Sequence, residues 1–535
     1  MTELLTAAQM RAIEQAAIDS GDVTGLELME RAGRGVVEAI LEAWPEMALT
    51  SQKAVVLCGP GNNGGDGFVV ARLLKHRGWE VEVFLYGEVE KLPPDAKANA
   101  DRWLEMGTVE PFAQYQGRKG WSCDLVLDAL FGTGLTRNLM PLGGLFWEME
   151  DMVDCFAIET GHKRGRPAIV AVDFPSGICS DSGEEYPHEE HWQRFSAMAH
   201  LTVSFHRAKC GHFLSEGPSR SGKVVTKSIG LDGFANKGGL NSVPIIIQPV
   251  RLLTLPMPLK RPGNLHKFSH GHALILSGPA GRTGAARLAA RGALRIGAGV
   301  VSLACPQEAM AECAAQLTAI MLSKVEDAEA LHAVLQDPRI NALCLGPALG
   351  VDERGRGLVE AAIGGANPRP TILDADALTI LAQNPELFAK LHKNCVVTPH
   401  AGEFKRLFPD IMAKLEAPAT TGPAYSKVDA TREAAARAGC VVLFKGADTV
   451  IADETGRAAI NSAHYERAAP WLATAGAGDV LAGFITGLMA RGFAPMQAAE
   501  TAAWLHVECA LKFGPGLIAE DIPEQLPAVF RDLEL

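Results

Sequence analysis

The stretch Lys53-Ala54-Val55-Val56-Leu57-Cys58-Gly59-Pro60-Gly61-Asn62-Asn63-Gly64-Gly65-Asp66-Gly67, followed by the helical run Phe68–Arg77, decides the fold. Lys53–Leu57 lacks polar alternation, so it predicts a strand buried on both faces, as in a parallel sheet covered by helices. The glycines turn the chain and open a helix whose bare amides attract phosphate. The same grammar recurs outward. Leu125–Leu127 runs into Asp128-Ala129-Leu130-Phe131-Gly132-Thr133-Gly134, and Ala168–Ala171 into Val172-Asp173-Phe174-Pro175-Ser176-Gly177. Val81–Leu85 is a further strand. Gly59, Gly61 and Gly64 satisfy G-x-G-x-x-G, and Glu82 falls near the acidic position of a dinucleotide fingerprint. Asp66 argues against that plain reading, because a carboxylate beside a pyrophosphate repels it. A purely structural turn is the remaining alternative.

The second half repeats the pattern at Ala273–Leu276, Thr371–Leu373, Cys395–Thr398 and Val441–Phe444. Between the halves, Pro244 to Pro262 holds five prolines. Proline lacks the amide donor and clashes with the preceding turn, so no long helix fits there. The expected partition is one domain over 1–240, a proline-rich linker over 241–262 and a second domain over 263–535. Both domains are read as three-layer αβα. The polar stretch Ser180–Arg194 is expected to be an exposed loop or insertion.

Composition narrows the function classes. The chain has 535 residues and 55 glycines, as a fold with many backbone-lined turns requires. Its formal charge of −12 argues against nucleic-acid and anionic-membrane partners. No apolar run reaches the roughly 18 residues of a membrane span. The 11 cysteines include no C-x-x-C pair. They are read as reduced thiols in a reducing compartment. Met1 to Gly21 has no apolar signal core, which adds to the expectation of a cytoplasmic protein.

In a parallel sheet the carboxyl ends of the strands gather at one edge, so Asn63, Asp128 and Ser176 are expected to meet. An amide oxygen, a carboxylate and a hydroxyl make a hard oxygen cage, suited to an alkali or alkaline-earth cation rather than zinc. Asp173 beside them is a candidate acid/base. For each aspartate taken alone, a helix cap or turn role is the commoner alternative. As an ordered set, N-N-G-G-D-G, D-x-x-F-G-T-G and V-D-x-P-S-G resemble the NAD(P)H-hydrate epimerase family, the YjeF N-terminal domain, over roughly residues 5–235. The resemblance implies a Rossmann-like fold. It implies that Asn62, Asn63, Gly64, Gly65 and Asp66, together with Gly132, Thr133, Gly134, Leu135, Thr136, Arg137 and Asn138, hold the hydrated cofactor. Asn63, Asp128 and Ser176 match potassium ligands, and Asp173 matches the substrate-binding aspartate. Extra residues near 151–166 and 184–194 depart from the family pattern.

The strongest local signal of the second half is Ala475-Gly476-Ala477-Gly478-Asp479 before the helix Val480–Arg491. Small residues there let amides approach an anion where the helix dipole also helps. Asp479 is either an N-cap or, within G-A-G-D, a base that takes a proton from a substrate hydroxyl while amides hold the phosphoryl group. Lys445-Gly446-Ala447-Asp448-Thr449 reads as strand–turn–strand suited to a nucleotide's phosphate or ribose, or else as a surface hairpin. Spacing alone gives His400 no functional weight. There is no Walker A signature.

With Thr283-Gly284-Ala285, Gly346-Pro347-Ala348-Leu349-Gly350, Asp374-Ala375-Asp376-Ala377-Leu378, T-P-H-A-G-E-F at 398–404 and K-G-A-D-T at 445–449, these pieces resemble the ADP- or ATP-dependent NAD(P)H-hydrate dehydratases. That branch of the ribokinase-like fold matches roughly 262–530. The resemblance implies that Ala285, Gly350, His400 and Asp479 contact the hydrate. It implies that Lys445, Gly446, Ala447, Asp448, Thr449 and Gly478 contact the nucleotide, with Mg2+ accompanying ADP or ATP. Where family members often carry G-N-P-G-M, this chain has Arg467-Ala468-Ala469-Pro470-Trp471-Leu472.

Together the two resemblances imply a bifunctional repair enzyme for hydrated NADH and NADPH (NADHX and NADPHX), with K+ in the first domain, expected as a homo-oligomer. The rival reading is a ribokinase-like small-molecule kinase whose first domain is a non-catalytic binding module.

Overall fold

The computed structural model describes residues 2–115, 122–135, 139–153, 167–186, 196–234, 250–254, 266–365, 368–418 and 422–534. The chain forms two compact units. One takes Glu3–Pro249 with Ala417–Ser426; the other takes Met1–Thr2, Val250–Glu416 and Lys427–Leu535.

After a short strand β1 (Thr2–Leu4), the first unit carries β2 (Lys53–Cys58), β3 (Glu80–Leu85), β4 (Val109–Pro111), β5 (Leu125–Ala129), β6 (Ala168–Val172), β7 (Leu201–Phe205) and β8 (Lys223–Lys227). Their order is β4-β3-β2-β5-β6-β7-β8, every pairing parallel. Alternate residues of one strand enter different cores. Ala54, Val56 and Cys58 pack with the helices Gly25–Ala43 and Asn62–His76; Val55 and Leu57 pack on the other face with Phe146 and Met149. Polar alternation is missing because neither face meets water. The order reverses between β2 and β5, and a crevice opens at the carboxyl ends beside such a switch point.

The second unit carries β9 (Val250–Leu252), β10 (His272–Leu276), β11 (Val300–Cys305), β12 (Met321–Lys324), β13 (Ala342–Leu345), β14 (Thr371–Leu373), β15 (Cys395–Val397), β16 (Val441–Phe444), β17 (Asp448–Ala452) and β18 (Ala458–Ser462). Their order is β9-β18-β17-β16-β15-β14-β13-β10-β11-β12. Strands β10 to β16 pair in parallel, while β17 runs antiparallel to β16 and to β18. Here the switch lies between β13 and β10. The helices Gly284–Arg295, Ala477–Ala490 and Pro495–Phe513 cover one face with an alanine- and leucine-rich core.

Three local expectations change. The helix after the first glycine turn starts at Asn62 rather than Phe68. Gly64 permits that start: a β-carbon there would lie 2.1 Å from the Gly59 carbonyl oxygen. Ser180, Ser182, Gly183 and Tyr186 are buried rather than exposed. Their polar groups bond inward, with the Tyr186 hydroxyl donating to the Leu135 carbonyl at 2.9 Å. Finally, β9 lies inside the expected linker and pairs with β18. Proline bars a helix but tolerates a short strand beside it. The remaining linker residues, 241–249 and 255–262, lie outside the described residues, as do 154–166 and 187–194 of the two extra stretches.

Candidate active sites

The first site forms at the carboxyl ends of β2, β5 and β6. Three successive amides meet the three expected cation ligands. Leu130 donates to Asp128 Oδ1 at 3.2 Å and Phe131 to Ser176 Oγ at 2.9 Å. The Gly132 amide stands 3.3 Å from the Asn63 amide group, whose other end stands 3.2 Å from the Val172 carbonyl oxygen. Ser176 also closes on Asp128, its hydroxyl at 2.7 Å and its backbone amide at 2.9 Å. Asp128 is fully buried, and burial pushes its carboxyl up to about 6. Among the described residues no basic side chain pairs with it. A buried carboxylate without a counter-charge, with the Ser176 hydroxyl oxygen 2.7 Å away, fits a monovalent cation.

Asp173 follows β6 with its backbone at φ 62°, a conformation that asparagine and aspartate adopt more readily than other side chains. The Lys209 ammonium, fully buried, lies 3.0 Å from Asp173 Oδ1, and Ser204 Oγ donates to the same oxygen at 3.2 Å. Burial alone would raise the Asp173 carboxyl. The Lys209 charge and hydrogen bonds outweigh it and hold the group below its ordinary range. His212 is buried too, and burial pushes its imidazole down to about 3. Its Nδ1 accepts from the Lys209 amide at 3.0 Å, so Nε2 carries the proton toward the Asp173 carbonyl at 3.2 Å.

Two more carboxyls face this group. Burial, then the charge of Asp173, raise Asp66 well above its usual range and push Glu14 up to about 7. Sequence reading assigned no part to Glu14, Lys209, Ser204 or His212. Asn62 opens the helix Asn62–His76, and Gly64 and Gly65 are buried within its first turns. Gly132, Thr133 and Gly134 form the turn closed by the Leu135 amide on the Gly132 carbonyl. The Leu135 side chain belongs to the core. Thr136, Arg137 and Asn138 lie outside the described residues.

The second site forms where loops after β10, β13, β14, β15 and β16 meet the start of the helix Ala477–Ala490. Gly476, left-handed at φ 88°, caps that helix, so Asp479 is its third residue and not its cap. Lys445 Nζ lies 2.8 Å from Asp374 Oδ1 and 3.7 Å from Glu403 Oε2. It is also 3.5 Å from where a β-carbon on Gly478 would stand, which puts the ammonium at the helix start. Burial would lower Lys445, but Asp374 and Glu403 outweigh it and hold the lysine charged. Burial, then Asp374, push Asp479 up to about 7.

A cavity of about 560 Å3 opens beside these groups, lined by Lys445, Gly446, Thr449, Asn461, His464 and Gly478. Its apolar wall is Ala468, Ala469, Pro470, Leu472 and Val507, so the residues replacing G-N-P-G-M still build that wall. Arg467 bolts the segment down through Glu508 at 2.9 Å and Asn461 at 3.0 Å. The turn of Lys445–Thr449 is pinned from inside. The Lys427 ammonium, another residue that sequence reading missed, reaches Asp448 Oδ1 at 2.6 Å and the Lys445 carbonyl at 3.3 Å. Gly350 donates its amide to Asp376 Oδ2 at 2.9 Å. Ala285 lies in the first turn of the helix Gly284–Arg295. His400 caps the helix Ala401–Leu407, its Nδ1 accepting from the Gly402 amide at 3.0 Å, and leaves its ring half exposed.

Comparison with known proteins bears on both sites. The family model described as YjeF-related protein N-terminus matches residues 25–211, and the one described as NAD(P)H-hydrate dehydratase matches residues 273–523. A bifunctional NAD(P)H-hydrate repair enzyme from Moorella thermoacetica is 34% identical over 559 residues, covering 99% of this chain and 97% of that protein. The chain belongs to the bifunctional NAD(P)H-hydrate repair enzymes. An NAD(P)H-hydrate epimerase from Rhodobacter capsulatus is 48% identical over 236 residues, 43% of this chain and all of that protein. Among solved structures, an ADP/ATP-dependent NAD(P)H-hydrate dehydratase from Bacillus subtilis, co-crystallized with ATP and Mg2+, is 25% identical. It covers 53% of this chain and 98% of that chain, at a TM-score of 0.42. Among the described residues, no helix is long and apolar enough to cross a membrane.

Proposed function

We propose that this chain repairs hydrated NADH and NADPH in two successive reactions. The first domain interconverts the R and S epimers of NAD(P)HX. The second dehydrates the S epimer to NAD(P)H at the expense of ADP or ATP. The observation that carries this reading is the placement of Asp479 as third residue of the helix capped by left-handed Gly476, with the Lys445 ammonium 3.5 Å from where a β-carbon on Gly478 would stand; burial there pushes the Asp479 carboxyl up to about 7.

Hydroxide is a poor leaving group, so the hydroxyl on C6 of the hydrated ring has to be converted first. The terminal phosphoryl group of the nucleotide passes to the C6 oxygen, and its bond to the nucleotide breaks. The hydroxyl proton goes to Asp479. Inorganic phosphate then leaves from C6 while C5 loses a proton, and the C5–C6 double bond is restored. Lys445, Gly446, Ala447, Asp448, Thr449 and Gly478 hold the nucleotide; Ala285, Gly350, His400 and Asp479 hold the hydrate. Mg2+ enters with the nucleotide, carried largely by its phosphates.

A chiral site accepts one epimer well, which is why an epimerase accompanies the dehydratase. In the first domain, Asn62 to Asp66, Gly132 to Asn138 and Asp173 bind the hydrate. Asp173, kept ionised by Lys209, supplies the base. Asn63, Asp128 and Ser176 would hold K+, which supplies the counter-charge that buried Asp128 lacks. The reading includes a cytoplasmic homo-oligomer.

The test is recovery of reduced-nicotinamide absorbance from mixed-epimer NADHX with ADP or ATP, in wild type and in Asp479→Ala. Full recovery in wild type and none in the variant supports the reading. No recovery with either nucleotide ends it.

A further inference from the structure

Asp374-Ala375-Asp376 joins β14 to the helix Asp376–Gln383. On an extended strand, residues two apart point to the same face. These two carboxylates instead serve different loops. Asp374 is buried, with Oδ1 at 2.8 Å from Lys445 Nζ and Oδ2 at 4.0 Å from where a β-carbon on Gly478 would stand. Asp376 turns to the neighbouring loop, where Oδ2 accepts the Gly350 amide at 2.9 Å and its own amide donates to the Gly346 carbonyl at 3.3 Å.

The residue between them accounts for the divergence. Ala375 sits at φ 46° and ψ −115°, outside the conformations that alanine ordinarily adopts. Strain of this kind persists only where the surroundings over-determine it. Here they do: the two loops touch through backbone, since a β-carbon on Gly346 would lie 1.7 Å from the Asp374 carbonyl oxygen. The turn therefore cannot relax without moving the loop Gly346–Gly350.

We propose that Asp374 and Asp376 are paired positioning residues of the dehydratase reaction, the strained turn at Ala375 directing one carboxylate to the nucleotide-binding lysine and the other to the hydrate-binding loop. The pair sets the spacing between phosphoryl donor and acceptor. This rests on the dehydratase reading above.

The experiment uses the full chain. The Michaelis constants for S-NADHX and ADP are measured separately, ADP affinity is measured by equilibrium dialysis without hydrate, and thermal unfolding is followed for every variant. Asp376→Ala is expected to raise the hydrate constant about tenfold, as for a lost charge-assisted hydrogen bond, with the ADP constant nearly unmoved. Asp376→Asn, whose amide oxygen still accepts from Gly350, restores most of that loss. Asp374→Asn is expected to weaken ADP in both kinetics and dialysis, with the hydrate constant nearly unmoved. Ala375→Val, a β-branched residue at positive φ, raises both constants. If Asp376→Ala does not fold, Asp376→Glu, which displaces the carboxylate by one methylene, carries the hydrate arm. Parallel changes in both constants for the two aspartate variants, or no change in either, overturn the proposal. Failure of wild type to restore reduced cofactor overturns the dehydratase reading instead, and the dialysis arm still reports whether Asp374 supports the nucleotide site.

Discussion

Both sites place a lysine–aspartate pair at the carboxyl edge of a parallel sheet, and they use it in opposite ways. In the first site the fully buried Lys209 takes Asp173 itself, the candidate base, and holds it ionised. In the second, Lys445 takes Asp374 and leaves Asp479 to titrate at about 7. The same residue types thus give one carboxylate held in its charged form and one poised to exchange a proton near neutrality. What differs is which carboxylate receives the ammonium at hydrogen-bond distance. An ion pair stabilises the charged form, whereas burial beside a second carboxylate destabilises it. Pairs whose proton affinities are pushed apart are a usual way of dividing acid and base roles.

The sharpest way to break this comparison is to remove each group and read both reactions. Asp479→Ala should lower dehydration about 10²–10⁴-fold and leave epimerisation of the hydrate, followed by chromatography, unchanged. A loss in both reactions would mean that the two sites are not independent.

Lys209→Met should come next, lowering epimerisation by about 100-fold while dehydration of pure S epimer persists. Removing one partner of a buried pair also leaves Asp173 uncompensated, so thermal unfolding of the first unit should show about 3–5 kcal/mol of lost stability. Lost epimerisation with unchanged stability would mean that the lysine acts on substrate rather than on Asp173.

The pH profiles sharpen the contrast. A base works deprotonated, so dehydration should rise with pH through about 7 as Asp479 ionises. Asp173 should contribute no such limb to epimerisation, because it is already ionised; a limb near 7 there would belong to Glu14, which faces it. Asp374→Asn removes a charge that raises Asp479, so the dehydratase limb should move to lower pH. A limb that stays in place would assign it to another group. The smallest effect concerns the cation. Replacing K+ by Li+ should slow epimerisation by about tenfold or less, with dehydration unaffected, because a smaller cation fits the oxygen cage of Asn63, Asp128 and Ser176 less well.

Much of this was legible in the chain. Uninterrupted apolar runs marked β2, β5, β6, β10, β14, β15 and β16 because both faces of each strand are covered. The glycine turns after them were readable because backbone must approach backbone there, as at Gly64. Lys209, Glu14 and Ser204 were not legible. Lys209 lies 36 residues from Asp173 and meets it through neighbouring strands β6 and β7, and nothing in the local sequence marks that lysine as buried. Lys445 and Asp374 are 71 residues apart and meet across β14, β15 and β16. The start of the helix Asn62–His76 was misplaced because glycines and asparagines read as loop. The buried stretch near Ser180 was misplaced because polar side chains read as solvated; it was decided by non-local contacts such as that of Tyr186 with Leu135.

The sequence by itself determined the two parallel-sheet units, the order of their turns and the residue types offered at each edge, because these depend on local periodicity and backbone chemistry. Only the tertiary structure decided which lysine pairs with which aspartate, and hence which carboxylate stays charged. Proton affinity depends on burial and on partners a few ångströms away, and those distances exist only once the strands have been laid side by side.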